Sequence, residues 1–306
     1  MSSPDRIETE VEGRRLSLGH LDKVLFPESG FTKGQLIDYY VRIAPVMLPH
    51  LRDRPVTLRR FPDGVDGQGF FEKHRPAHAP PWVGSVTVPS PREGGAGVEY
   101  PTVGDVASLV WAANLGTIEF HVPLWHRGRR RKLPAPPDHL VFDLDPGEGA
   151  DIVDCCRVAG WLAGDVGDVG SATPDRGMFA KSSGSKGLQV YLPLGGRPTW
   201  EKVKERAHAV ASRLESEHPG AVVSSMRKAE RKGRVLIDWS QNTPSKTTVA
   251  AYSVRARAAP TVSTPVTWDE VSACAEGGGP DMLRFTTDQV LDRVARDGDL
   301  FAPLGI

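Results

Sequence analysis

Between His139 and Pro146 apolar and acidic positions alternate: Leu140, Phe142 and Leu144 interleave with Val141, Asp143 and Asp145. A period of two is that of a strand, in which side chains at i and i+2 share a face. The pattern predicts a strand that buries Leu140, Phe142 and Leu144 and projects Asp143 and Asp145 together from the other side. Pro146 and Gly147 end it. Similar alternation predicts strands at residues 55–61, 85–88, 117–122, 178–181, 188–192 and 234–239, and a short hairpin over 6–18 around Gly13. The strand over 117–122 puts Glu119 and His121 on one face, and that over 234–239 puts Asp238 beside Leu236.

Helical spacing marks five stretches. Thr32 followed by Gln35 is a capping-box signature. The helix it opens runs through Leu36, Tyr40 and Ile43, with Pro45 expected to kink or end its first part. Val106, Leu109, Val110 and Ala113 form a second apolar stripe that stops near Gly116. Residues 152–162 form a third. Thr199 caps a fourth, with Val203, Ala207, Val210 and Leu214 on one face. A fifth lies over 288–296 and ends at Gly298. Residues 260–265, bounded by prolines, are expected to cross the surface as a strap.

Composition narrows the class. The 306 residues are 39% hydrophobic with a formal net charge of zero. A packed core is therefore expected, and no overall field attracts nucleic acid, although local charge matters more than the total. The two halves share no break in composition, so a single domain over residues 1–306 is expected. Cys155, Cys156 and Cys274 provide neither a disulfide framework nor zinc spacing, which points to a reducing cytoplasm. No apolar run reaches membrane-spanning length, and the polar start is no signal peptide.

The chemistry lies in a few places. Two carboxylates as close as Asp143 and Asp145 repel unless a proton or cation sits between them, and a hard divalent ion is the natural partner. A solvated turn or a phosphatase-type Asp-x-Asp is the alternative. Around Lys186, the small residues Ser182, Ser183, Gly184, Ser185 and Gly187 form a turn whose N–H groups can cradle a phosphate. It is not a Walker A loop. Lys23 and Lys33 flank a helix start and can hold a phosphate or simply be solvated. At most one of the adjacent rings of Phe70 and Phe71 can enter a common core, leaving the other free to stack on a base. Basic runs at 127–132 and 227–234 can touch phosphates or be solvated loops. Asp143, Asp145 and Asp238 with Lys186 and several arginines fit two-metal phosphoryl or nucleotidyl transfer. Polymerase, nuclease and phosphatase remain open on these residues.

Several stretches, in order, carry a resemblance: DKVLFP with the following Lys33, FFEKH, EFHVPLW, FDLDPGEG, SGSKGL, VYLPL, VLIDWSQN and SKTTVAAYSVRAR. The chain resembles the polymerase domain of bacterial ATP-dependent DNA ligase D, within the archaeo-eukaryotic primase superfamily, over nearly its whole length. Lacking ligase and nuclease parts, it is similar to the stand-alone actinobacterial members or to an excised domain. The resemblance implies an α+β fold with an active-site cleft between two β-sheets. It implies template-directed addition of nucleotides, often ribonucleotides, at gaps and breaks bearing a 5′-phosphate, with two Mn²⁺ or Mg²⁺ ions. DNA, nucleoside triphosphates, Ku and a DNA ligase are the implied partners, and the place is the nucleoid. By position, Asp143, Asp145 and Asp238 match the catalytic metal-binding carboxylates. Ser183 and Lys186 match the triphosphate turn, Arg59 a basic position often filled by lysine, and Phe70 and Phe71 the stacking ring pair. His121 matches a residue near the sugar, and Arg231, Gln241 and Arg255 further nucleotide contacts. Lys23 and Lys33 match a pocket for the downstream 5′-phosphate, with His20 in place of the usual Asn. Gln189 stands where the pattern has His, which predicts a weaker, neutral hydrogen bond to the triphosphate. A catalytically weak module that binds and bridges DNA ends is the competing reading.

Overall fold

In the computed structural model, which describes residues 6–90, 97–127, 133–166 and 177–305, the predicted N-terminal hairpin forms as β1 (Arg6–Val11) and β2 (Arg14–Gly19). A bulged pair, β3 (Val24–Phe26) and β4 (Phe31–Thr32), leads into α1 (Lys33–Leu51). The capping box forms as read: the Gln35 N–H donates to Thr32 Oγ1, and the Gln35 amide accepts from the Thr32 N–H. Pro45 does not end the helix, which continues through Pro45 and Pro49 to Leu51. Leu36, Tyr40, Ile43, Ala44, Met47 and Leu51 are fully buried along this helix. That packing offsets the hydrogen bonds the prolines remove.

Next come β5 (Thr57–Arg60), β6 (Phe70–Glu72), β7 (Ser85–Val88), β8 (Val98–Pro101), α2 (Val106–Asn114) and β9 (Thr117–Val122). The Asp-bearing strand is β10 (His139–Pro146), followed by α3 (Ile152–Val166), β11 (Phe179–Ser182), β12 (Leu188–Pro193) and α4 (Trp200–Glu217). The chain closes with β13 (Val222–Val223), β14 (Val235–Asp238), β15 (Thr248–Val249), β16 (Pro265–Val266), α5 (Trp268–Ala273) and α6 (Thr287–Asp297).

Two sheets organise these elements, in agreement with the expected α+β class. The larger has six strands in the order β13-β14-β10-β12-β11-β16, antiparallel except for β13 with β14. The smaller has the order β15-β9-β5-β6. Leu140, Phe142 and Leu144 of β10 and Leu188, Val190 and Leu192 of β12 pack into one core with α3 and α4. The alternate residues Val141 and Tyr191 join the other core, which the smaller sheet shares with α1 and α2. The Tyr191 hydroxyl reaches Thr248 Oγ1 of β15 at 3.0 Å, tying the sheets together. The alternation of β10 therefore turns its acidic face toward the smaller sheet.

Residues 260–265 correct the expectation of a surface strap: they are buried, and Pro265 and Val266 form the edge strand of the larger sheet. Within this stretch the Ser263 N–H donates to the Ser253 carbonyl and the Ser263 carbonyl accepts from the Tyr252 N–H, while the prolines sit where no ladder donor is needed. Of the basic run at 127–132, residues 128–132 lie outside the described residues.

Candidate nucleotide and metal site

Register places the acidic residues. Asp143 lies opposite Asp238 on β14 and opposite Gln189 on β12, and Gln189 lies opposite Lys181 on β11. Asp238, Asp143, Gln189 and Lys181 thus form one row across four strands, on the face turned toward the smaller sheet. Asp145, two residues on, is exposed beside it. Burial, and then the charge of Asp145, push the Asp143 carboxyl up to about 7. Partial desolvation by the packed row beside it, and then Asp238, raise Asp145 as well.

The carboxylates are held by amide donors. Gln189 Nε2 donates to Asp143 Oδ1 at 3.0 Å. Gln241 Nε2 stands between Asp143 Oδ2 at 3.4 Å and Asp238 Oδ2 at 3.2 Å. Asp238 Oδ1 accepts from the Ser240 N–H at 2.9 Å, and Lys246 Nζ lies 3.7 Å from Asp238 Oδ2. Among the described residues, no three His, Cys, Asp or Glu side chains stand close enough to cage a metal ion. The donor set nonetheless fits one: hard carboxylate oxygens, mutually repelling, with a neutral amide between two of them.

Gln189 is engaged at both ends of its amide. Its Oε1 accepts from Lys181 Nζ at 2.6 Å, while its Nε2 serves Asp143. Lys181 is almost wholly buried, donates also to Ser263 Oγ at 2.7 Å, and is brought down to about 7 by burial and then by Arg255. Lys181 escaped the sequence reading. Its signal was a lysine on a short, otherwise apolar strand two residues before the Ser183 turn.

The turn over 182–187 is as tight as its small residues suggest. Ser183 Oγ accepts from the N–H groups of Ser185 and Gly187 at 3.2 and 3.1 Å. Gly184 takes φ +65, and a Cβ there would lie 2.6 Å from the Val262 backbone, so only glycine fits. Lys186 stands exposed at the tip.

Facing this row, the smaller sheet carries the cations and rings. Both Phe70 and Phe71 are exposed, at 43% and 56%, rather than one being buried. Each lies over a guanidinium: Arg60 is 5.3 Å from the Phe70 ring and Arg59 5.2 Å from the Phe71 ring. His121 meets Phe71 edge to face with centroids 5.4 Å apart. Arg59, His121 and Arg255 converge on Glu119, a carboxylate the sequence reading placed beside His121 without assigning it a role. Arg231 Nη2 donates to the Met226 carbonyl at 2.6 Å, and its charge acts on Asp145.

The expected phosphate residues of the N-terminal part gather apart from this row. Lys33 is buried, and its Nζ donates to the Gly19 carbonyl at 2.5 Å. Burial, then Lys23, then Arg6 bring it down to about 8, so these cations are neighbours. Lys23 also reaches Asp63 Oδ1 at 3.0 Å. Exposed His20 takes φ +56, and its carbonyl accepts from the Lys23 N–H, forming the turn that sets Lys23 beside Lys33.

Residues 32–301 match the family model described as LigD, primase-polymerase domain. The chain is 42% identical over 295 residues to the multifunctional non-homologous end joining DNA repair protein LigD of Mycobacterium tuberculosis, covering 95% of this chain and 37% of that protein. It is 30% identical over 285 residues to the bifunctional non-homologous end joining protein LigD of Bacillus subtilis, covering 93% of this chain and 43% of that protein. The chain thus spans well under half the length of these relatives. A solved structure, the polymerase domain from Mycobacterium tuberculosis ligase D in complex with DNA, superposes with a TM-score of 0.85 at 41% identity, over 95% of this chain and 98% of that one.

Proposed function

Because the chain belongs to the LigD primase-polymerase domain family, we propose that its cleft carries out template-directed nucleotidyl transfer to a DNA primer strand during the repair of breaks by end joining. The observation that carries this reading is the acidic row, in which Asp143 faces Asp238 in register, with Asp145 beside them and a wall of cations and rings opposite. Asp143, Asp145 and Asp238 would hold two divalent ions, Mn²⁺ or Mg²⁺. Such ions, when bound, supply Lewis acidity toward the attacking hydroxyl and the leaving pyrophosphate.

The chain's own groups do the rest. Gln189 and Ser240 orient Asp143 and Asp238 by donating to one oxygen of each. Ser183, whose oxygen accepts two backbone N–H groups, keeps its own O–H as a donor for a phosphate oxygen, and exposed Lys186 adds charge. The Phe71 face, backed by Arg59 and His121, suits stacking of the incoming base, with Phe70 beside it. Arg255, Arg231 and Gln241 complete the surroundings of the nucleotide. Lys23, Lys33 and His20 form a separate anion pocket suited to the downstream 5′-phosphate of a gap. Ribonucleotides are the proposed preferred substrate, His121 being the sugar contact.

The test is single-nucleotide addition to gapped, 5′-phosphorylated DNA with Mn²⁺. The wild type should extend the primer, whereas Asp143→Ala and Asp238→Ala should lose addition by at least about a thousand-fold while keeping their DNA affinity. Extension by either variant near the wild-type rate would remove the metal assignment. A wild type that binds gapped DNA and adds nothing would leave end bridging as the function.

A further inference from the structure

Glu119 is the charge at the centre of the cationic wall, yet it is 0% exposed and out of reach of any ligand. Its Oε1 accepts from Arg59 Nη1 at 2.8 Å and from the Ala256 N–H at 3.0 Å, with Arg255 Nε at 3.4 Å. Its Oε2 meets His121 Nε2 at 2.8 Å. These partners come from different parts of the fold. Arg59 is the cross-strand neighbour of Glu119 on β5, and His121 lies two residues along β9. Arg255 arrives on the segment after β15, and its Nη1 donates to the Ser183 carbonyl at 3.0 Å, at the phosphate turn of the larger sheet. One buried carboxylate therefore ties the phosphate turn to the ring platform across the cleft.

We propose that Glu119 is a positioning residue for the incoming nucleotide, one that splints Arg59 and Arg255 as a paired anion clamp and holds His121 in its Nε2–H form. This inference rests on the reading of the wall as the nucleotide site. Removal of the anion leaves two half-buried guanidiniums repelling each other, and they separate. Burial alone would raise the Glu119 carboxyl, but the His121 hydrogen bond and Arg255 draw it down to about 2, so it is an anion at any working pH. Burial holds His121 below the ordinary imidazole range, opposed by Glu119, so the ring is neutral near neutral pH. A neutral ring that donates from Nε2 has an acceptor at Nδ1. The position then accepts from a hydroxyl of the ligand, which is the chemistry of a sugar.

Glu119→Gln conserves shape and one acceptor oxygen but removes the charge and faces an N–H₂ toward one partner. In single-nucleotide addition to gapped DNA, this variant should raise the nucleotide KM by about ten-fold or more, with kcat within about three-fold. Its affinity for gapped DNA without nucleotide should match that of the wild type. Nitrogen NMR of the wild-type imidazole should show the Nε2–H tautomer, and the variant should shift it toward Nδ1–H. A nucleotide KM within about two-fold of wild type in folded Glu119→Gln overturns the role. So does an Nδ1–H tautomer in the wild type, a measurement that needs no variant. The wild-type lane separates the two levels of failure. No addition there overturns the polymerase reading and this inference together, whereas normal addition with an unchanged variant KM overturns the positioning role alone.

Discussion

Gln189 shows how much one side chain's partners decide. As an ammonium Lys181 has donors only, so it fixes the amide with Oε1 toward itself and Nε2 toward Asp143. A His at this position would have to accept from Lys181 and donate to Asp143, which is the neutral imidazole. Lys181 and Asp143 both lie near 7, so the comparison belongs at one pH: Gln189→His should leave the nucleotide KM within about three-fold of wild type at about pH 7, as read by steady-state addition. A gain of about ten-fold or more would mean that the ring has left Lys181 for the nucleotide. Gln189→Leu strips a buried partner from both Lys181 and Asp143 and should cost about 1–3 kcal/mol in urea denaturation. Lys181 has its own signature. Its folded pKa of about 7 lies below the ordinary 10.5. Across that window the folded chain binds fewer protons than the unfolded one, so stability rises with pH. Lys181→Met should flatten this part of the stability profile relative to wild type, measured by denaturation at several pH values.

At the scale of elements, the turn between β11 and β12 is built against the end of β10. A Cβ on Gly187 would lie 2.3 Å from the Leu144 carbonyl oxygen, a backbone atom that cannot yield without moving the acidic strand. Gly187→Ala should destabilise the fold by about 2 kcal/mol or more and raise the nucleotide KM, because the turn must withdraw from β10. Denaturation and single-nucleotide addition on the same preparation check both. The turn was legible in the sequence from its run of small residues. What it leans on was not, because Leu144 lies more than forty positions earlier. The same holds for α1. Its capping box was readable from Thr32 and Gln35, but its passage through Pro45 depends on burial against the smaller sheet, where Tyr40 meets Phe120 edge to face at 5.0 Å.

At the scale of the molecule, a net charge of zero conceals local clusters: an acidic row on the larger sheet, a wall of arginines facing it, and a second cationic site where β2 meets α1. Lys33, brought down to about 8, is charged below that pH and neutral above it. The proposed preference for gapped DNA with a 5′-phosphate over a 5′-hydroxyl should therefore shrink as pH rises from about 7 to about 9, in competition binding at constant salt. A preference constant over that range would place the phosphate elsewhere. Among the described residues no helix is long and apolar enough to cross a membrane. The sequence by itself determined which residues share a face, since the period of two in β10 and β9 is a property of local backbone geometry. It also determined where helices begin, since capping boxes close within four residues. Only the tertiary structure decided which faces meet. The row Asp238, Asp143, Gln189 and Lys181 needs four strands paired out of chain order. The burial of Glu119 beneath Arg59 and Arg255, and of residues 260–265 at a sheet edge, likewise needs segments brought together from across the chain. Those pairings are set by long-range packing, which no local period encodes.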